Sequence, residues 1–275
     1  MVIELGFSSF GCYKDKLIDK LSEFASSEVK NIEIWSSSAH SNPDHFRYRD
    51  KNYLDRFSHE LKKFSLHPYS IHAPINSGQS IFSPDELERE KSLEEAEKVI
   101  DALARIGGEL LVVHPGGREI ANRKIQLEVS LASLRQILNF CQKHNIRLAL
   151  ENMCPGEIGS RVEDLEYLLA GLSSDVGICL DTGHAYLNDN LFELIENLRE
   201  RIIHLHIQDT HKGSDEHLIP FQGKINWRKF MHKLKEIGYQ GIFMMELRER
   251  ESGLEDLLKE AKDAFAKLLY SVKQF

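Results

Sequence analysis

Short apolar segments recur along the chain, and each is followed by polar turn residues and a stretch of helical composition. Segment 176–181 (VGICLD) is typical of a strand buried on both faces, because it is almost entirely apolar and ends abruptly in an acid. We predict eight such strands, at 2–8, 31–36, 69–74, 110–115, 146–152, 176–181, 202–208 and 241–247.

The segments between these strands have the periodicity of amphipathic helices. In 84–107 and 119–144, aliphatic residues recur at intervals of three and four among charged ones. Ser83 is the predicted N-cap of the first of these helices, because a proline and two acids follow it. Glycines mark expected helix ends at Gly107, Gly171 and Gly238.

The alternation of strands and helices predicts the fold class. Eight strand–helix units without a low-complexity linker favour an α/β protein of the (β/α)8 TIM barrel type, with a single domain spanning 1–275. A doubly wound open sheet is the alternative. No G-x-G-x-x-G motif follows any strand, which disfavours a dinucleotide-binding fold.

Composition narrows the functional class. A net charge of -8 provides no general cationic field for nucleic acid or anionic lipid. No apolar run approaches the roughly 20 residues of a membrane span, and the N-terminus has no basic signal-like region, so we expect a cytoplasmic protein. The cysteines form no C-x-x-C pair and are expected to be reduced packing residues: Cys12, Cys141, Cys154 and Cys179.

Carboxylates and imidazoles gather at the carboxyl ends of the predicted strands, where the active sites of barrel enzymes are built. So many neighbouring carboxylates would repel one another unless a bound cation neutralised their negative charge. The mixture of carboxylate and imidazole ligands suits Zn, Mn, Co or Fe better than Ca. The nine candidate metal ligands are His72, His114, Glu151, Asp181, His184, His206, Asp215, His217 and Glu246.

Alternation within the seventh strand supports an inward orientation of these groups. His204 and His206 share one face of this strand. Ile203, Leu205 and Ile207 share the opposite face, which we expect to meet the helices. His204 is expected to lie one layer below His206, so we do not count it among the ligands.

Seven short motifs carry these residues in order along essentially the whole chain. They are His72-Ala73-Pro74, Val113-His114-Pro115-Gly116, Leu150-Glu151-Asn152, Leu180-Asp181-Thr182-Gly183-His184, His206-Ile207-Gln208-Asp209, Asp215-Glu216-His217 and Met245-Glu246. In combination they resemble the motif series of the xylose isomerase-like, or endonuclease IV-like, barrel superfamily. Two branches of that superfamily imply different reactions.

Resemblance to sugar isomerases and 3-epimerases implies one divalent ion, Mn, Co or Zn, that binds two adjacent oxygens of a ketose or sugar phosphate. The implied ligands are Glu151, Asp181, His206 and Glu246. Glu151 and Glu246 would act from opposite faces of the sugar, removing and returning a proton through a metal-bound enediolate. The same resemblance implies substrate contacts at Glu157, His184 and Lys212, the last standing where those enzymes have arginine.

Other residues are expected to shape the mouth of the barrel. The polar loop at 40–50 is long enough to cover the mouth and select a substrate, although a surface excursion explains it equally well. Aromatic residues provide apolar walls for a sugar ring or else pack in the core: Phe7, Phe10, Trp35 and Phe221.

Resemblance to endonuclease IV implies up to three zinc ions and phosphodiester cleavage at abasic sites. His72 and His114 would bind the first ion, and Glu151 would bridge it to a second held by the ligands named above. The third set would be His184, Asp215 and His217. However, the stretch after Glu151 lacks that family's Ala-Gly-Gln-Gly-like loop, and no basic strip with interleaved aromatic residues is present to bind a duplex.

We therefore favour the isomerase or epimerase hypothesis, with a small sugar as the partner and nucleic acid only under the alternative. Formation of a homo-oligomer is compatible with either. A third hypothesis is a barrel that binds a metal or ligand without turnover. The pair Glu151 and Glu246 argues against it, because binding alone requires no opposed acid and base.

Overall fold

The computed structural model describes residues 3–36, 42–74, 80–118 and 122–273. Parallel strands follow one another around a closed barrel, in which each strand pairs with the next and β8 pairs with β1. The strands are β1 Ile3–Ser8, β2 Asn31–Trp35, β3 His67–His72, β4 Leu110–Val113, β5 Arg147–Glu151, β6 Gly177–Asp181, β7 Ile202–Ile207 and β8 Gly241–Met245. The predicted (β/α)8 barrel is confirmed, and closure of the sheet excludes the open-sheet alternative.

In the described parts of the chain, α-helices form the outer layer, one after each strand and two after β6, and a short 3-10 helix at Ser9–Cys12 precedes the first of them. They are α1 Leu17–Ser26, α2 Lys51–Lys63, α3 Glu86–Ile106, α4 Arg123–Lys143, α5 Val162–Ala170, α6 Thr182–Leu187, α7 Leu191–Asn197, α8 Trp227–Glu236 and α9 Leu254–Lys273. The main core lies between the outer faces of the strands and the inner faces of the helices. Within the described parts of the chain, no helix is long and apolar enough to cross a membrane.

Several predicted boundaries are wrong by two residues, including the ends of β3, β4 and β8, which lie two residues earlier than expected. The third strand was expected at 69–74, but β3 begins at His67, because a proline near the start of a strand costs little pairing. The N-cap of α3 is Asp85 rather than Ser83: the Asp85 carboxylate accepts a hydrogen bond from the Glu88 amide at 3.1 Å. The Ser83 hydroxyl instead accepts a hydrogen bond from the Asp85 amide, which forms a turn ahead of the helix.

The other predicted helix limits agree with the structure to different degrees. The helix expected at 119–144 begins at Arg123, with Asn122 as its N-cap, and residues 119–121 lie outside the described parts of the chain. Gly107 ends α3 in a left-handed conformation with φ of 86°, as the sequence predicted.

A second, smaller apolar cluster lines the inside of the barrel. Its members are Tyr69, Leu110, Val112, Ala149, Cys179, Ile242 and Met244. Ile203 packs against this inner cluster, so its predicted outward orientation is wrong. The pairing of β6 with β7 shifts register between Ile178 and Cys179, which breaks strict alternation at this point. Leu205 and Ile207 face the outer core as expected.

Candidate active site

The nine candidate ligands lie at one end of the barrel, on or just after the carboxyl ends of strands β3 to β8. His72, Asp181 and His206 are completely buried, and Glu151 and Glu246 are nearly so. Because strands of a parallel barrel all point the same way, residues far apart in sequence meet at this mouth. The arrangement divides into three groups of side chains.

The central group contains two glutamates, an aspartate and a histidine. His206 Nδ1 lies 3.4 Å from Glu151 Oε1 and 3.5 Å from Glu246 Oε2. Each member offers one ligand atom, and these atoms all lie within 4.8 Å of one another. The members are Glu151, Asp181, His206 and Glu246. The structure thus brings together the four side chains that the resemblance to sugar isomerases and 3-epimerases implies as ligands of one divalent ion.

A second group shares Glu151 with the first. His72 Nε2 and His114 Nε2 lie 3.1 Å and 3.3 Å from Glu151 Oε2, while the other oxygen, Oε1, faces the central group. The His72 orientation is set by its Nδ1, which lies 2.8 Å from the carbonyl oxygen of Ala73. Glu151 is therefore positioned between two sets of ligand atoms.

The third group lies at the outer edge of the mouth. Asp215 Oδ2 is 3.4 Å from His184 Nε2 and 2.9 Å from His217 Nε2. Cys154 completes a close set with His184 and Asp215, in which the ligand atoms all lie within 4.8 Å of one another. The sequence prediction missed Cys154, which it treated as a packing residue.

Asp181 also organises the backbone around it. It is the N-cap of α6 and accepts a hydrogen bond from the His184 amide at 2.7 Å, which places this histidine beside the carboxylates. Asn152 connects the ends of two strands: its side chain donates to the Asp181 carbonyl and accepts from the Asp181 amide, at 3.0 Å and 2.8 Å. His184 Nδ1 lies 2.9 Å from the Asn152 carbonyl, which leaves Nε2 directed at the mouth.

The buried carboxyl groups differ in their affinity for a proton. Burial raises the pKa of Glu246 to about 7, although the charges of His206 and His217 oppose it. Burial also acts to raise the pKa of Glu151, but His206 and His114 outweigh it and hold that pKa well below the usual range. At neutral pH and without a cation, Glu151 is therefore ionised while Glu246 is partly protonated.

The residues of the central group fit a divalent metal ion. His206 Nδ1 is buried and has no hydrogen-bond partner among the described residues, and it points toward the carboxylates of Glu151 and Glu246. A buried polar atom without a partner is costly, so this geometry is explained by a ligand between these groups. Carboxylate oxygens with one imidazole form a donor set suited to Zn, Mn or Co.

The chain also matches known proteins over most of its length. The model of the xylose isomerase-like TIM barrel family matches residues 22–268. The chain belongs to this family. An uncharacterised protein of Methanocaldococcus jannaschii is 28% identical over 270 residues, which cover 94% of this chain and 89% of that protein. A probable endonuclease 4 of Acholeplasma laidlawii is 29% identical over 143 residues, but the match covers only 50% of this chain and 47% of the relative.

Solved structures of similar proteins include sugar epimerases. A D-tagatose 3-epimerase-like protein is 25% identical, with a TM-score of 0.83 over 99% of this chain and 97% of the other. The IolI protein, whose crystal structure contains a bound zinc atom, has the same fold with 18% identity and a TM-score of 0.84, over 99% and 100% of the two chains. Members of the xylose isomerase-like family that resemble this chain thus include epimerases and proteins named as endonucleases.

Glu33 is a buried site residue that the sequence prediction missed. Its carboxylate lies inside the barrel, 3.0 Å from His206 Nε2 and 3.2 Å from His204 Nε2. The signal was present in β2, where Asn31, Glu33 and Trp35 alternate with two isoleucines and so share one face. An acid in the middle of a strand with isoleucine on the opposite face has to point inward.

The predicted substrate contacts occupy different places. Glu157 and His184 line a cavity of about 450 Å³ beside the central group, together with Cys154 and Asp215. Burial raises the pKa of Glu157 within this wall. The structure directs Lys212 away from the cavity: its ammonium group donates to the Tyr186 carbonyl at 2.9 Å and pairs with Asp189.

The four aromatic residues proposed as walls also separate into two sets. Phe10 lies 5.0 Å from Trp35 and 4.8 Å from His217, measured between ring centroids, and Trp35 lies 4.8 Å from His72. These two rings form an apolar wall against the ligand groups. Phe7 is completely buried in the outer core, and Phe221 is largely exposed beside Trp227. Of the loop expected at 40–50, residues 40 and 41 lie outside the described parts of the chain.

Proposed function

We propose that this protein is a divalent-metal-dependent isomerase or epimerase of a ketose or sugar phosphate. The observation that carries the proposal is the central group, in which Glu151 and Glu246 flank His206 and Asp181 within ligand distance. These four residues would hold the ion, which when bound would supply a positive charge that polarises a substrate carbonyl and makes the neighbouring C–H bond more acidic.

The two glutamates have the properties required of an acid and a base. Without a cation, the pKa of Glu151 lies well below its usual range, whereas burial raises the pKa of Glu246 to about 7. We assign Glu151 as the group that accepts the proton from the carbon and Glu246 as the group that returns one. Environments that push the pKa values of two carboxyl groups apart are a general way to separate these roles. Return of the proton to the opposite face of the carbon inverts it, which is an epimerisation.

The surroundings of the glutamates favour a proton transfer protected from bulk water. Phe10 and Trp35 cover one side of the site, and the apolar inner cluster of the barrel supports it from within. On the open side, Glu157 and His184 line the adjoining cavity and present groups that can hydrogen-bond to sugar hydroxyls. The likeness to a D-tagatose 3-epimerase-like protein supports a sugar substrate.

A zinc-dependent nuclease is the second candidate, because Glu151 contributes one oxygen to the central group and the other to His72 and His114. A carboxylate shared in this way is suited to bridging two ions, as expected of a multinuclear phosphodiesterase. The partial likeness to a probable endonuclease 4 supports this candidate.

The two candidates are separated by counting ions and assaying both reactions on one preparation. Purified protein is stripped with a chelator, reloaded with Mn²⁺, Co²⁺ or Zn²⁺, and analysed for bound metal. Ketoses and sugar phosphates are incubated in deuterated water and followed by proton NMR for exchange at carbon, and an abasic oligonucleotide is tested in parallel. Deuterium exchange at carbon and epimerisation of a sugar would support our proposal. The proposal would be refuted if the zinc-loaded protein cleaves the abasic oligonucleotide and leaves every sugar unchanged.

A further inference from the structure

Gln208 is a completely buried side chain that lies between two carboxylates of the mouth. Its Nε2 donates to Asp215 Oδ1 at 2.9 Å and to both carboxylate oxygens of Asp181, each at 3.3 Å. Its Oε1 accepts a hydrogen bond from the backbone N–H of His217 at 3.1 Å. One side-chain amide thus joins the central group to Asp215, which lines the adjoining cavity.

The orientation of this amide follows from what its partners can offer. Carboxylate oxygens accept hydrogen bonds, whereas a backbone N–H only donates. Nε2 therefore faces Asp181 and Asp215, and Oε1 faces His217. Because a glutamine amide has two hydrogens to donate, one serves Asp215 and the other is shared between the two oxygens of Asp181. The amide can turn further toward one carboxylate only by weakening its bond to the other.

The surrounding backbone keeps the amide in this position. The Thr182 hydroxyl donates to the Gln208 carbonyl at 2.7 Å and accepts from the Gln208 backbone N–H at 3.0 Å. Gly183 leaves the space that the side chain fills, since a Cβ added there would lie 2.4 Å from Gln208 Cδ. Even an alanine at position 183 would therefore displace the amide from its two carboxylate partners.

We propose that Gln208 is a positioning residue that couples Asp181, a candidate ligand of the central ion, to Asp215 in the cavity wall. The inference rests on the ion of the proposed function and adds a residue that is not itself a member of the central group. Hydrogen bonds to ligating carboxylates fix their orientation, and loss of such a partner typically weakens metal binding by about 10- to 100-fold.

The shared amide has a consequence for ligand binding. An ion at Asp181 and a sugar hydroxyl at Asp215 would each fix a carboxylate that is bound to the same amide. Fixing one carboxylate therefore also orders the other. We expect the sugar to tighten ion binding by the same factor by which the ion tightens sugar binding, because coupling between two sites is reciprocal.

A double-mutant cycle on metal affinity tests this coupling, because Asp215 is not a member of the central group. Isothermal titration of chelator-stripped protein measures the Kd of the first Mn²⁺ equivalent. Gln208→Met is expected to weaken binding by about 10-fold or more. Asp215→Asn removes both a nearby charge and a partner of the amide, so it should weaken binding more in the wild type than in Gln208→Met. We expect these two effects to differ by about 3-fold or more.

Gly183→Ala tests the same contact without changing Gln208, and it should weaken Mn²⁺ binding in the same direction. It replaces Gln208→Met in the cycle if that variant fails to fold, which circular dichroism determines. Gln136→Met, at an exposed position of α4, is the matched control and should bind Mn²⁺ like the wild type.

The outcomes separate this inference from the proposed reaction. Unchanged affinity in Gln208→Met, or purely additive effects of Gln208→Met and Asp215→Asn, would overturn the positioning role and leave the proposed reaction standing. Coupled effects in a protein that exchanges no proton on any sugar would support the positioning role and refute the proposed reaction.

Discussion

Glu33 contacts the far side of the His206 imidazole, with Oε1 3.0 Å from Nε2. Ser70 Oγ also donates a hydrogen bond to the Glu33 carboxylate at 2.9 Å, which helps to hold it in place inside the barrel. With Nε2 bound to a carboxylate, His206 directs Nδ1 at Glu151 and Glu246. We infer that Glu33 is a positioning residue, which orients the candidate ligand His206 without reaching the mouth itself.

Replacing Glu33 by Gln is expected to weaken metal binding by about 10- to 100-fold, because His206 loses the carboxylate that orients it and increases its basicity. Isothermal titration of stripped protein with Mn²⁺ or Zn²⁺ measures this change. Glu200→Gln, at an exposed residue, is the control and should bind like the wild type. An unchanged affinity in Glu33→Gln would show that His206 is oriented by the fold alone.

Replacing Glu246 by Gln is expected to lower turnover by about 100- to 10,000-fold at saturating metal, because the amide cannot hold and return a proton. Binding of the sugar should persist, since the other three central ligands remain. Deuterium exchange into the substrate and a binding titration together measure the two effects. If both variant and wild type bind the sugar and neither exchanges a proton, the barrel is a binding protein rather than an enzyme.

Metal affinity is expected to increase with pH through neutrality. The pKa of Glu246 is raised to about 7, so below that pH a proton occupies a carboxylate that the ion requires and must be displaced. Titrations at about pH 6 in buffers of different ionisation enthalpy count the protons released per ion. Glu246→Gln should release about one proton fewer than the wild type, and equal release would exclude Glu246 as a ligand.

Asp209 is expected to stabilise the loop that carries Asp215. Its buried carboxylate accepts hydrogen bonds from Trp227 Nε1 and the Phe221 amide, both at 2.8 Å, and from the Ile225 amide at 3.1 Å. Asp209→Ala should lower the free energy of unfolding by about 3 kcal/mol or more, because several buried donors lose an acceptor. Denaturant unfolding measures this loss, and Asp175→Ala, at an exposed turn residue, should change stability little.

Removal of metal is expected to lower thermal stability. Without an ion, the buried carboxylates Glu151, Asp181 and Glu246 are close together, and their repulsion is offset by nearby imidazolium groups and by partial protonation of Glu246. An ion at 100 times its Kd would add about 2.7 kcal/mol to the free energy of unfolding. Calorimetry with and without a chelator measures the difference. A Tm that does not respond to a chelator in metal-loaded protein would argue against an ion in the central group.

Much of the architecture was predictable from local patterns. The apolar strands and amphipathic helices predict a closed barrel. Because all its strands run in the same direction, their carboxyl ends lie at one mouth, so the candidate ligands at the ends of β3 to β8 could be named in advance. Strand limits were less certain at His67, since the effect of Pro68 depends on whether its amide faces a partner strand.

The sequence by itself determined which residue types arrive at the mouth, because strand order and alternation depend on local hydrophobic pattern. Only the tertiary structure decided which of them meet. The contact of Glu33 with His206, the pairing of Lys212 with Asp189 and the approach of Cys154 to His184 join residues from separate loops or strands. Such contacts depend on register shifts, side-chain packing and competing ion pairs, which spacing along the chain does not specify.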